Sequence, residues 1–137
     1  MALKNAAVLI LYNEKKEVLL QNRSKNAPRL PDYWAFFGGG IESGEAPRDA
    51  MRREILEELE YRVSDPVLFL EQAVMREDGQ VIKHVFIEKY DTAQPPILHE
   101  GQAMRWCAFG DLDKLLIVGH DREVLARIQE YLKSISD

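Results

Sequence analysis

Two stretches of this 137-residue chain carry helical periodicity, from about Pro47 to Leu59 and from about Asp121 to Ile135. Every other apolar run is short and strand-like. In the first stretch Ala50, Met51, Ile55 and Leu59 share one side, and Pro47 suits a first helical turn. In the second, Val124, Leu125, Ile128, Leu132 and Ile135 form an apolar face that must pack on something. Ala6 to Tyr12 and Val18 to Gln21, separated by a polar segment, read as a strand hairpin. A loop from Arg23 to Asp32 with Pro28 and Pro31 then leads to a third strand, Tyr33 to Phe37, which is expected to stop at Gly38-Gly39-Gly40. Val63 to Arg76 and Val81 to Tyr90 are extended segments facing each other across Asp78-Gly79, and Met104 to Phe109 is a last strand. Strands of this kind, with one helix at mid-chain and one at the end, predict an α/β layered fold with a mixed sheet. The chain shows no repeat, low-complexity tract or linker, so a single domain over residues 1–137 is expected.

Composition narrows the partners. A net charge of -5 opposes binding to a nucleic-acid polymer, whereas a small anion remains compatible because a few arginines and a cation can reverse the local sign. Cys107 is the only cysteine; no intrachain disulfide can form, and its apolar setting reads as a buried structural thiol. The apolar run Ala6 to Tyr12 is too short to span a bilayer, no cleavable leader is evident, and a cytoplasmic location with no membrane partner is expected.

Chemistry concentrates between Gly39 and Tyr61. Glu54, Glu57 and Glu58 are spaced i, i+3 and i+4, which gathers three carboxylates within a sector about 100° wide. Such acids repel one another, and they sit toward the helix C-terminus, where the dipole also disfavours negative charge. A hard divalent cation, Mg²⁺ or Mn²⁺, relieves both penalties and can be shared with phosphates; the chain has no His or Cys cluster suited to zinc. A solvated acidic face balanced by Arg52 and Arg53 is the plain alternative. Glycines at 38, 39, 40 and 44 suit a loop whose backbone approaches a metal or phosphate, or equally a tight strand-to-helix connection.

The segment resembles the Nudix box: glycine, five residues, Glu, seven residues, Arg-Glu, an aliphatic residue, any residue, Glu-Glu, any residue, Gly, and an aliphatic residue. Gly39, Glu45, Arg53, Glu54, Ile55, Glu57 and Glu58 fall in register. Glu60 and Tyr61 depart, standing where the family has glycine and an aliphatic residue, and Glu60 predicts a strained or differently ended helix C-terminus. The resemblance extends to the Trp34 to Phe37 entry and to Glu100-Gly101-Gln102 followed by Arg105-Trp106.

It implies a Nudix-type α/β/α sandwich with a mixed, curved sheet, and a magnesium-dependent hydrolase acting on a nucleoside diphosphate linked to another group. Glu54, Glu57, Glu58 and the Gly39 carbonyl would hold the metal, with Mn²⁺ as a substitute. Glu57 and Glu100, ahead of Glu54, are the candidate bases; Arg53 would orient a neighbouring glutamate and Glu45 would hold the loop-helix junction. Arg23, Gly40 and Trp34 would meet substrate, Trp34 competing with an ordinary core role. Among substrates the resemblance favours a nucleoside triphosphate cut by a MutT-like pyrophosphohydrolase. Nucleoside diphosphate sugars, ADP-ribose, dinucleoside polyphosphates, an RNA 5′ end and a non-catalytic ligand sensor are the alternatives; the resemblance is compatible with a homodimer, and no interface is legible in the sequence.

Overall fold

The computed structural model describes residues 3–135. Its strands are β1 (Ala6–Tyr12), β2 (Val18–Asn22), β3 (Trp34–Ala35), β4 (Phe37–Gly40), β5 (Val67–Arg76), β6 (Gly79–Lys89) and β7 (Ala103–Cys107); its α-helices are α1 (Pro47–Leu59) and α2 (Gly119–Ser134). All seven strands join one sheet in the order β3-β2-β1-β6-β5, with β4 paired to β1 and β7 to β2. β1 runs parallel to β6 and antiparallel to β2 and β4, which makes the sheet mixed.

Side-chain alternation along β1 divides the core. Ala7, Leu9 and Leu11 face one way and pack with Met51, Ile55 and Leu59 of α1, while Val8 and Ile10 face the other way and pack with Val124, Leu125, Ile128 and Leu132 of α2. The sheet thus lies between the two helices as the α/β/α reading requires. Met51, Ile55 and Leu59 are wholly buried, and each contributes roughly 2 kcal/mol by leaving water.

The aromatic run differs from its expectation. It is two strands, not one: β3 pairs with β2 through Gln21 and Asn22, β4 pairs with β1, and the break falls at the buried Phe36. The glycines do not stop a strand. They are the strand, paired with Ala6, Ala7 and Val8. The chain changes partner at Phe36, and no local pattern marks such a switch. Two smaller differences occur: β5 starts after Pro66, four residues later than expected, and Phe109 opens a short 3₁₀ helix, Phe109–Lys114, in place of extending β7.

The end of α1 resolves the two departures from the box. Glu60 adopts the left-handed conformation, φ 52° and ψ 36°, with its N–H donating to the Leu56 carbonyl at 3.0 Å. The helix therefore ends on the same turn that glycine would make, and the Cβ adds a cost of about 1 kcal/mol. The loop before β7 covers the freed carbonyls: Ile97 N–H donates to Leu59 at 2.9 Å and His99 N–H to Glu58 at 2.8 Å, while the His99 ring meets the Glu60 carboxylate. Tyr61 is fully buried where an aliphatic residue was anticipated. Its hydroxyl accepts from the Asp91 N–H at 2.9 Å and donates to Glu88 at 3.4 Å, so the extra polar atom is satisfied.

Candidate functional site

β4 lies against α1 with nothing but glycine between its backbone and the helix carboxylates. The Gly38 N–H donates to Glu58 Oε1 at 3.2 Å. A Cβ on Gly39 would fall 2.6 Å from the carboxyl carbon of Glu54, so this carboxylate occupies the space that the absent side chain leaves. Glu58 is 3% exposed. Burial, first of all, and then its hydrogen bond to Glu54 push its carboxyl up to about 9, and only the Gly38 N–H opposes this. Burial therefore favours the neutral form of Glu58 where it faces Glu54.

Arg53 braces the outer side of this pair. Its guanidinium donates to both oxygens of Glu45 at 2.9 Å, to Glu54 at 2.8 Å and to the Gly40 carbonyl at 3.2 Å. Glu45 in turn accepts from the Glu42 N–H at 3.0 Å, and the Arg53 hydrogen bonds followed by this one hold its carboxyl down at about 2. One arginine thus ties the loop, the glycine strand and the helix together. Glu57 stands apart, its side chain 62% exposed and 3.9 Å from Arg53.

Among the described residues no three His, Cys, Asp or Glu side chains converge as a metal-binding group. The geometry explains this, since Glu54 and Glu58 meet while Glu57 points into solvent. The donors nevertheless suit a hard divalent cation. All are oxygens, and a cation can replace the proton that burial favours on Glu58.

Two cavities flank β4. The smaller, about 230 Å³, is lined by Gln21, Arg23, Gly38, Glu58, Glu100 and Gly101, which brings Glu100 to the same space as Glu58. The larger, about 580 Å³, lies on the α2 face of the sheet and includes Arg23, Phe36, Gly39, Gly40, Lys83 and Asp121. Arg23 and Gly38 border both. The Arg23 Nε donates to the Arg29 carbonyl at 2.9 Å, which fixes the loop above them. Trp34 lines neither cavity; its ring packs against the α2 core, and its backbone N–H donates to the Leu116 carbonyl at 2.8 Å. Trp34 thus stands half-buried at the edge of the α2 core. Cys107 is buried, and burial pushes its thiol up.

The larger cavity holds charged residues that the sequence reading passed over. Lys83 and Asp121 are both nearly buried and joined by a direct ion pair, and the Lys83 ammonium lies 3.0 Å from His120 Nδ1. Burial alone would raise the Asp121 carboxyl, but the His120 hydrogen bond and the Lys83 charge outweigh it and leave it lowered. A signal was present in the sequence: Lys83 occupies the core-facing register between Val81 and Val85.

Comparison with known proteins agrees with this architecture. A family model described as the NUDIX domain matches residues 2–128. An RNA pyrophosphohydrolase of Bartonella bacilliformis is 27% identical over 117 residues, which cover 80% of this chain and 64% of that protein. An RNA pyrophosphohydrolase of Nitratiruptor sp. is 40% identical over 58 residues, 40% of this chain and 35% of that one, so the matched part spans only about a third of that relative. The solved MutT protein of Methanosarcina mazei superposes with a TM-score of 0.83 at 21% identity, covering 96% of both chains. With the family model matching nearly its whole length and the fold shared with MutT, this chain belongs to the Nudix family.

Proposed function

We propose that the protein hydrolyses a phosphoanhydride bond in a nucleoside diphosphate derivative with the aid of a divalent cation, Mg²⁺ or Mn²⁺, and that the favoured substrate is a nucleoside triphosphate cut to monophosphate and pyrophosphate. The observation that carries this reading is the pairing of Glu54 with the buried Glu58 beneath a glycine strand, next to a cavity that Arg23 and Glu100 also line. Glu54, Glu57, Glu58 and the Gly39 carbonyl are the residues that would hold the cation. When bound, that ion neutralises the diphosphate and acidifies water.

The remaining work falls to this chain's own groups. Arg53 keeps Glu54 aimed inward, and Glu45 keeps Arg53 in place. Glu57 is accessible enough to take a proton from the attacking water, and Glu100 is the second candidate. Arg23 and the Gly40 backbone would meet the phosphate-bearing substrate. An RNA 5′ end is the second reading, favoured by the relatives named RNA pyrophosphohydrolases.

A panel of nucleoside triphosphates, ADP-ribose, nucleoside diphosphate sugars and 5′-triphosphorylated RNA, with phosphate and pyrophosphate release read separately, tests the reading. At least one triphosphate is expected to release pyrophosphate about a hundredfold faster with Mg²⁺ than with EDTA. Tight nucleotide binding with no turnover of any compound would instead identify a ligand sensor.

A further inference from the structure

Lys4, Arg23, Arg29, Arg76 and Lys83 line the larger cavity against two acids, Asp78 and Asp121. Arg29, in the loop before β3, and Arg76, at the end of β5, both line it. The Arg76 Nε is buried with no hydrogen-bond partner, and among the described residues neither arginine forms an ion pair. Burial, and after it the positive charge of Arg29, pull the Arg76 guanidinium below its usual range, with only Asp78 acting the other way. Two guanidinium groups that repel each other, one with an unpaired buried donor, form an arrangement that an anion stabilises. Lys83 adds no free positive charge to this arrangement, because Asp121 already neutralises it.

The cavity also continues toward the proposed reaction site, since Arg23 and Gly38 border it and the smaller cavity with Glu58 alike. The geometry points to a second anion subsite at Arg29 and Arg76, which takes a phosphate group carried by the nucleotide in addition to the phosphates of the bond that is cut. This rests on the hydrolase reading above and narrows its substrate class to nucleotides phosphorylated at a second position. That second phosphate has two chemical sources, a terminal phosphate ester on a free nucleotide or the phosphodiester that continues an RNA chain.

Calorimetric binding of AMP, adenosine 2′,5′-bisphosphate, adenosine 3′,5′-bisphosphate and the 5′-phosphorylated dinucleotide pApA to the full chain tests the subsite, because none of these probes offers an anhydride to cleave. At least one of the three doubly phosphorylated probes is expected to bind about tenfold or more tightly than AMP, the gain of one charge-assisted contact. A gain restricted to a bisphosphate identifies the terminal ester, and an equal gain with pApA identifies the diester. Arg76→Gln and Arg29→Gln should each remove most of the gain, and having both variants guards against one that folds poorly. Affinities within about twofold of AMP for all three probes, binding too weak to measure for all four, or a gain that survives in both variants overturns the inference. Turnover of nucleoside triphosphates by the same preparation keeps the two readings apart: turnover without the gain removes only the subsite, and the gain without turnover removes only the hydrolase.

Discussion

Glu57→Gln is expected to lower Mg²⁺-dependent hydrolysis by about 10²- to 10⁴-fold, the range for losing a positioned base or a metal-bound charge. The structure makes this substitution cleaner than those at its neighbours. Glu57 is 62% exposed and its ion pair with Arg53 is a long one at 3.9 Å, so the amide should leave the thermal midpoint within about 2 °C of the parent. Glu58, by contrast, is buried between Glu54 and the Gly38 N–H, and Glu54 is held by Arg53, so changing either alters the brace as well as the charge. Steady-state kinetics on Glu57→Gln beside its melting curve checks both halves. Turnover within about threefold of the parent would remove Glu57 from the chemistry.

The second large effect is on folding. Gly38→Ala should destabilise the protein by about 3 kcal/mol or more, lowering the melting midpoint by roughly 10 °C or preventing soluble expression. At φ 139° an L-residue is strained, and a Cβ there would come within 2.3 Å of the Ala7 carbonyl oxygen and 2.6 Å of the Val8 Cα. Both are backbone atoms of the central strand. Relief would have to break the pairing of β4 with β1 and move the N–H that Glu58 accepts from. A melting midpoint within about 2 °C of the parent would show that β4 does not sit where it is described.

Much of this architecture was legible before any coordinates. The two helices were set by their own periodicity, and α1 spans the same residues, Pro47–Leu59, in sequence and structure. β1, β2 and the turn between β5 and β6 were clear as well, because each is a local run bounded by turn residues, although β5 begins four residues later than its apolar run suggests. What was hidden depends on tertiary partners. The break at Phe36 arises because β3 belongs to β2 and β4 to β1, and a glycine run that reads as a stop is a strand when a neighbouring strand supplies its hydrogen bonds. Glu60 could be flagged as a misfit, yet only the structure shows that it takes the left-handed turn while the 97–99 loop covers the helix end.

The candidate site divides in the same way. Helical spacing places Glu54, Glu57 and Glu58 on one sector of α1, but rotamers decide which of them meet, and here Glu54 joins Glu58 while Glu57 turns outward. The Glu45–Arg53 brace spans a loop and two helical turns, beyond the reach of a spacing argument. Arg29, Arg76 and Asp121 come from three distant segments and are brought to one cavity only by the sheet and the loop over it.

The claim on which the chemistry turns is that this acidic cluster takes up a divalent cation in place of the proton that burial favours on Glu58. Titration of the protein with Mn²⁺, followed by electron paramagnetic resonance of the free ion, measures this without any substrate. Saturable binding of at least one ion per chain, with release of protons and marked weakening in Glu57→Gln, is expected. Failure to bind Mn²⁺ at millimolar concentration, or binding that Glu57→Gln leaves untouched, would contradict it.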